Sequence, residues 1–428
     1  MKQMTRRTFF MTTAAATLAA KSFSASPNEQ IRIGVIGCGS MGRGDVNMFH
    51  RLGNVAFPII CDVDDSQSGR LVKQLKGAKY DTPEVVKDFR HVLDRKDIDI
   101  CLIATPDHWH ALPTIMACQA GKDIYVEKPF ANTIPESRAM VDAAKKYKRV
   151  VQMGSQWRSA SHIQDAVAFV RSGKIGKVRS ARAWQYSPNR ADSPDFVPVQ
   201  GPPDSVDYNL WLGPATKRPY NKNRFHRSWR YFWDYGGGNL SDNGVHLIGV
   251  TLWPMGNEAP IRVSSSGGKY AYNDNTETPD TQISTVTFPS YTLVWEHGQK
   301  SSLGFKGASL GMEWFGTKGT VVADDYGWRA TPEPGVGDFK AEDHKPGTEN
   351  PRDFHGRNFL DCVADRTQPI YNPDEAHYAT TIAHLGNISY RSGSEVRWDA
   401  KRERPIDNRA ARRVMTPHYR APWSLRNS

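Results

Sequence analysis

The sequence predicts an α/β chain, with a doubly wound parallel sheet in its first part and a second, α+β domain behind it. Three observations carry this. From Ile31 to about residue 150, short β-branched runs alternate with helix-like stretches, the pattern of parallel βαβ units. A glycine-rich turn, Gly37-Cys38-Gly39-Ser40-Met41-Gly42, stands between the first run and the first helix. Beyond about residue 280 the apolar residues alternate, as antiparallel strands do. A length of 428 residues allows two domains, each with its own core.

The chain opens on Thr5-Arg6-Arg7-Thr8-Phe9-Phe10-Met11, a weakly apolar run from Thr12 to Ala20, then Lys21 and small residues at Ser22–Ala25. A basic start, a short apolar stretch and small residues read as a secretory leader. Paired arginines before Phe9-Phe10 read as the twin-arginine type, which exports folded cargo. The expected division is a leader over 1–26, a nucleotide domain over 27–150 and a substrate domain over 151–428. The twin-arginine translocase is then a transient partner, and the mature chain is expected to be soluble and periplasmic.

Composition excludes several classes. Five cysteines, Cys38, Cys61, Cys101, Cys118 and Cys362, are scattered with no CxxC, so a disulfide frame and a metal site are not expected. The net charge of +11 includes the leader and a basic tail from Lys401 to Arg426. An arm packed on the body explains that tail better than nucleic acid does. The 12 Trp and 16 Tyr supply faces on which sugar rings can stack.

Ile31–Ile36 reads as the first strand, ending at the glycine turn. Gly37 permits the tight turn, Gly39 lets backbone approach a pyrophosphate, and Gly42 lets the helix pack closely. The second strand, Ala56–Cys61, ends in Asp62, 20 residues beyond Gly42. An acid there accepts ribose hydroxyls and repels a 2′-phosphate, so NAD is expected over NADP. Ile98–Ala104 is the next clear strand, entering Thr105-Pro106-Asp107-His108-Trp109-His110. A helix over Ala111–Ala120 follows, capped by Gly121. Asp123–Val126 leads into Glu127-Lys128-Pro129, and Val150–Met153 into Gly154-Ser155-Gln156-Trp157-Arg158-Ser159.

Helices are expected over His162–Arg171, His355–Cys362 and Glu375–Tyr390. Strands are expected over Thr281–Phe288, Thr292–His297 and Gly319–Ala323. Residues 187–227 have little periodicity, and spans of this kind are usually functional or oligomer contacts. The run Trp229-Arg230-Tyr231-Phe232-Trp233-Asp234-Tyr235-Gly236-Gly237-Gly238 enters a helix on which Asp242 and His246 share a face.

The glycine turn, Ala104–His110 and Glu127-Lys128-Pro129, in that order, resemble the glucose–fructose oxidoreductase, inositol dehydrogenase and MocA family. The resemblance implies a Rossmann domain followed by a large, mostly antiparallel open sheet that mediates a homo-oligomer, dimer or tetramer. It implies that Lys128, Asp242 and His246 are catalytic, with His246 the base. Gly37, Gly39, Ser40, Met41, Gly42, Asp62, Thr105, Trp109, His110, Glu127 and Lys128 are expected to bind NAD. Gln156, Arg158, Tyr235, Asp242 and His246 are expected to bind substrate. A neutral His suits removal of a hydroxyl proton, and Lys128 beside it favours alkoxide character.

These expectations describe an exported NAD(H) oxidoreductase acting on a secondary hydroxyl of a sugar or glycoside. No free NAD pool is at hand outside the cytoplasm, so the nucleotide should stay bound and be restored in place. Ping-pong oxidation and reduction of two sugars, transient oxidation with glycosidic elimination, or an external acceptor all satisfy that. The second scheme resembles the redox-assisted N-acetylgalactosaminidases, which carry a different tripeptide at Glu127-Lys128-Pro129. A non-catalytic binding protein is the rival from another class.

Overall fold

The structure is a computed structural model that describes residues 30–188 and 196–425; the leader, with Arg6 and Arg7, and Arg426 of the basic tail lie outside them. Six parallel strands form the first sheet, in the order β3-β2-β1-β4-β5-β6. They are β1 (Ile31–Ile36), β2 (Val55–Cys61), β3 (Glu84–Val86), β4 (Ile100–Ile103), β5 (Asp123–Glu127) and β6 (Val151–Gly154). Because β6 pairs with β5, the parallel sheet runs past the boundary expected at residue 150.

Helices α1 (Ser40–Leu52), α2 (Asp65–Gly77), α3 (Arg90–Asp94), α4 (Ala111–Gln119) and α5 (Ile134–Tyr147) connect these strands. Val35, Ile60 and Leu102 on one face and Ile36, Cys101 and Ile103 on the other enter two separate cores. Both faces are therefore apolar, as a doubly wound parallel sheet requires. Pro58 interrupts β2 and has no N–H to donate; the β1–β2 register slips between Arg32 and Gly34 beside it. α5 starts at a capping box, in which Thr133 Oγ1 accepts from Glu136 N–H and donates to Glu136 Oε2 at 2.9 Å.

The second domain begins with α6 (Ser161–Arg171) and β7 (Ser180–Ser187). There follow α7 (Tyr208–Leu212), α8 (Gly238–Asp242) and α9 (Gly244–Leu252). Next come β8 (Arg262–Gly268), β9 (Thr281–Thr287), β10 (Thr292–Gln299), β11 (Leu310–Phe315), β12 (Gly319–Asp324), β13 (Gly327–Pro332) and β14 (Glu342–His344). The chain closes with α10 (Pro351–Asp365), α11 (Pro373–Ser392), β15 (Val396–Asp399), β16 (Arg404–Pro405) and α12 (Arg409–Met415).

Ten strands make one open sheet, ordered β14-β13-β12-β11-β7-β10-β9-β8-β15-β16. Its pairings are antiparallel except β7 with β10. Ala181, Ala183, Leu293, Trp295, Met312 and Trp314 project from its middle strands into a core shared with α6, α9 and α11. α11 also packs on α5, which ties the two domains together. The basic tail packs on the body: Trp423 meets Trp109 edge-on at 4.9 Å, and Arg90 lies over the Trp423 ring.

Among the described residues no helix is long and apolar enough to cross a membrane. All five cysteines are free and buried.

Candidate active site

A cleft of about 430 Å³ runs along the carboxyl ends of β1, β2, β4 and β5, where open α/β sheets bind ligands. Its floor is the glycine turn. Gly37 sits at φ +98°, and a Cβ there would lie 2.6 Å from the Ala104 carbonyl oxygen. A Cβ at Gly42 would lie 2.0 Å from Gly37 O, so α1 packs on the turn only because that position is bare. Gly39 has nothing within 4 Å of such a Cβ, so its backbone is open to a ligand. Ser40 and Met41 line the same wall.

Asp62 closes the end of β2. Its Oδ2 accepts from Cys38 N–H at 2.7 Å and its Oδ1 from Asp64 N–H at 2.9 Å. Burial raises its carboxyl to about 6 against these two bonds. Thr105, at the end of β4, lines the cleft with its buried Oγ1 unpaired. An open glycine backbone, an acid at the end of β2 and an orphan hydroxyl in one cleft fit a dinucleotide.

At the other end of the cleft stands Lys128, just past β5, with a cis bond to Pro129. Its Nζ donates to the Asp242 carboxylate and, at 3.1 Å, to the Asp242 backbone carbonyl. Arg230 Nε donates to the same carboxylate oxygen at 3.1 Å. Burial pushes the Asp242 carboxyl up, but Lys128 and Arg230 outweigh it and hold the group below the ordinary carboxylate range.

His246 is 8 % exposed, and its Nδ1 meets Ser155 Oγ at 2.7 Å. Among the described residues no group bonds its Nε2. Burial, helped by the Lys128 charge, pulls its pKa well below 6.5, so the ring is neutral at neutral pH. Asp107 lines the cleft nearby; burial and then the Asp242 charge raise its carboxyl well above the usual range. Glu127 is raised too, by burial against the nearby Lys128 and Arg352. Gly154 on β6 gives it room, since a Cβ there would lie 2.6 Å from Glu127 Oε1.

The structure corrects several expectations. Asp242 and His246 do not lie on one uninterrupted helix: α8 ends at Asp242 and α9 begins at Gly244. Asp242 is joined to Lys128 at that end of the cleft, and His246 lies close enough for the Lys128 charge to act on it. Arg158 is 1 % exposed. Its Nη2 donates to Glu375 at 2.9 Å and to Gly249 O at 3.1 Å, and its guanidinium lies over the rings of Tyr371 and Trp253. It is a core strut against α9 and α11, not a substrate contact.

Tyr235 is fully buried, ring to ring with Trp211 and His108. It belongs to an aromatic core and does not reach the cleft. His110 is also fully buried; its nitrogens meet Pro129 O at 2.7 Å and Thr105 O at 3.0 Å. It joins the loop after β4 to the loop after β5. Trp109 does line the cleft, but its Nε1 is bound to Leu210 O and Trp211 O. Gln156 is half-buried at the start of a short 3₁₀ turn after β6 and is not part of the cleft wall.

Arg230 was missed in the sequence. Asp234, four residues on, offers it a local acid, so the sequence alone does not mark Arg230 as the partner of Asp242, 12 residues on. Among the described residues no group of three or more His, Cys, Asp or Glu is placed to hold a metal.

Residues 31–155 match a family model described as an oxidoreductase family with NAD-binding Rossmann fold. Residues 181–277 and 345–425 match one described as the C-terminal alpha/beta domain of an oxidoreductase family. Together they cover well over half of the chain. An alpha-N-acetylgalactosaminidase of Shewanella oneidensis is 31% identical over 159 residues, 36% of this chain and 35% of that protein. A levoglucosan dehydrogenase of Pseudarthrobacter phenanthrenivorans is 29% identical over 179 residues, 38% of this chain and 43% of that protein. The match thus spans under half the length of either relative.

A levoglucosan dehydrogenase structure in complex with NADH superposes with a TM-score of 0.67 at 18% identity, covering 86% of this chain and 99% of that one. An aldose-aldose oxidoreductase of Caulobacter crescentus, complexed with glycerol, gives 0.64 at 20% identity, covering 86% and 99%. At these identities the likeness shows a shared fold.

Proposed function

Because this chain belongs to the Gfo/Idh/MocA oxidoreductase family, with its NAD-binding Rossmann fold, we propose that it oxidises a secondary hydroxyl of a sugar or glycoside with a tightly held NAD. The observation that carries this is the joining of Lys128 to Asp242 beside a neutral His246, at the far end of the cleft from Asp62.

Bound NAD supplies the two-electron acceptor. The protein's own groups handle the proton. Lys128 and Arg230 present two cations beside the position of the substrate oxygen, where they favour alkoxide character. His246 is neutral and accepts a proton at Nε2. Ser155 Oγ holds Nδ1 and so orients the ring. Asp242 stays ionised and fixes the lysine between strand and helix. Trp229 lines the cleft beneath the Arg230 guanidinium, which lies over its ring and is held in place by it.

A second reading is a redox-neutral glycosidase or lyase that oxidises, eliminates and then returns the electrons. The local identity to the N-acetylgalactosaminidase favours it. Incubating the native protein with glycosides separates the two. Net oxidation leaves reduced nicotinamide and an oxidised sugar; the redox-neutral route releases a free aglycone with no net change in NAD.

Export in folded form is part of the proposal. Arg6-Arg7 supports it, and so do five buried, unpaired thiols. Replacing the arginine pair by Lys-Lys should leave the protein in the cytoplasm; unchanged export removes this part. A homo-oligomer is proposed for the open sheet, which α6, α9 and α11 cover on one side while Ile283 of β9 stands 47 % exposed. Light scattering of the mature protein tests it, and a monomeric mass refutes it.

A further inference from the structure

The aperiodic segment between β7 and α8 is the part most heavily tied around the cleft. Val206 forms an isolated antiparallel bridge with Asp64, two residues past Asp62. Asp65 N–H donates to Ser205 O at 3.1 Å, and Asp207 N–H to Val63 O at 2.8 Å. His226 Nε2 lies 3.1 Å from Asp64 Oδ2. At the other end, Trp109 Nε1 bonds Trp211 O at 3.0 Å and His108 Nε2 meets the same oxygen at 3.0 Å.

A third anchor comes from the C-terminal tail. Arg420 donates to Gly213 O at 3.1 Å, to Asn209 Oδ1 at 2.7 Å and to Asn209 O at 2.9 Å. Its own amide bonds Pro214 O at 2.9 Å.

Between these anchors Leu210, Trp211, Phe225, His226 and Trp229 line the same cleft as Gly39, Asp62 and Gln67. Phe225 and Trp229 also belong, with Tyr220, Phe232 and Tyr235, to an apolar cluster of their own. This apolar body meets the nucleotide domain through the Asp64 bridge and through Trp211 against His108 and Trp109, a small set of contacts that can part together.

We propose that residues 196–229 form a clasp over the dinucleotide, and that it must part from Asp64, from His108 and Trp109, and from Arg420 before the nucleotide can leave. This rests on the reading that the cleft holds NAD, and adds how NAD is retained. The rate of nucleotide exchange is then the rate of clasp opening. Electrons taken from one substrate remain on the protein until a second substrate collects or returns them.

The test uses the full chain loaded with NADH and chased with excess NAD, with release read from bound NADH fluorescence. Asp64 and Val206 face each other as a non-hydrogen-bonded pair. Such pairs have Cα atoms about 4.5 Å apart, within disulfide reach. In the double variant Asp64→Cys/Val206→Cys, the oxidised form should release NADH at least about tenfold more slowly than the same protein reduced. Native thiols are buried, so the redox step acts on the new pair.

Arg420→Ala should release about tenfold faster, the worth of one charge-assisted hydrogen bond. Equal rates in the oxidised and reduced double variant, with the crosslink verified by mass, overturn the clasp. So does an unchanged rate in Arg420→Ala. If calorimetry finds no NADH binding in any form, the cofactor reading fails and takes the clasp with it.

Discussion

Lys128 holds Asp242 twice, through its carboxylate and through its backbone carbonyl at 3.1 Å. One lysine at the end of a Rossmann strand thereby fixes the end of a helix in the second domain. The ammonium is kept where two domains meet the nucleotide cleft, and Arg230 adds a second cation at 3.1 Å from the same carboxylate.

Lys128→Met should cut turnover about 10²-fold or more, the usual worth of a positioned proton-transfer or charge-stabilising group. NAD should stay bound, because the glycine turn and Asp62 hold its other end. Arg230→Met should cost less, since Lys128 still holds Asp242. Steady-state kinetics with bound NAD measured on the same samples checks both. Near-normal turnover in Lys128→Met refutes the role given to the lysine.

His246 predicts the pH profile. Its pKa is depressed by burial and then by Lys128, so the base stays neutral and competent as pH falls through 6.5. The acid limb of kcat/KM should lie well below that value. Lys128→Met removes the largest of the charges that depress it, so the acid limb of its residual activity should move to higher pH. A wild-type limb at the ordinary histidine pKa, unmoved by Lys128→Met, contradicts the assignment.

Asp62 predicts a second pH effect. Burial raises its carboxyl to about 6, so it is ionised above that pH and protonated below. NAD affinity, read by calorimetry, should weaken as pH falls through about 6, and Asp62→Asn should lose that dependence. Asp62→Ala should weaken NAD more than NADP, because the ribose acceptor is gone and its repulsion of a 2′-phosphate with it. Equal losses would show that Asp62 does not read the ribose.

Arg158→Met should act on stability. It removes the buried partner of an ion pair whose Glu375 is a quarter exposed, and with it the cation over two aromatic rings. Chemical denaturation should show a loss of about 3 kcal/mol, the lower end for breaking a buried pair. The KM of the folded variant should be unchanged; a large rise in KM would restore Arg158 to the substrate site.

The contrast between Asp62 and Arg158 shows what a sequence can disclose. Gly37, Gly39, Gly42 and Asp62 form a local unit, strand to turn to helix to strand, and their spacing carries their placement at the cleft. The bounds of β1, α4, α6 and β9 were legible for the same reason, from period and caps. Arg158 pairs with Glu375, 217 residues away, and no local pattern separates a buried strut from a pocket cation. Tyr235 was misplaced because an aromatic beside a glycine run reads equally as core or as ligand wall.

The break at Asn243 was invisible because Asp242 and His246 keep helical spacing across it. The clasp was seen only as an aperiodic stretch: its anchors, Asp64, His108, Trp109 and Arg420, lie in other parts of the chain.

The central claim is that NAD held in this cleft takes electrons from a sugar hydroxyl. The direct measurement purifies the native protein without added nucleotide, records bound nicotinamide by mass spectrometry, and mixes the protein with a panel of sugars and glycosides while following reduced-nicotinamide absorbance. The account predicts bound NAD and a rise in that absorbance with at least one sugar, lasting or transient, and absent in Lys128→Met. Bound NAD whose redox state no sugar or glycoside changes, with neither oxidised sugar nor released aglycone, would contradict it.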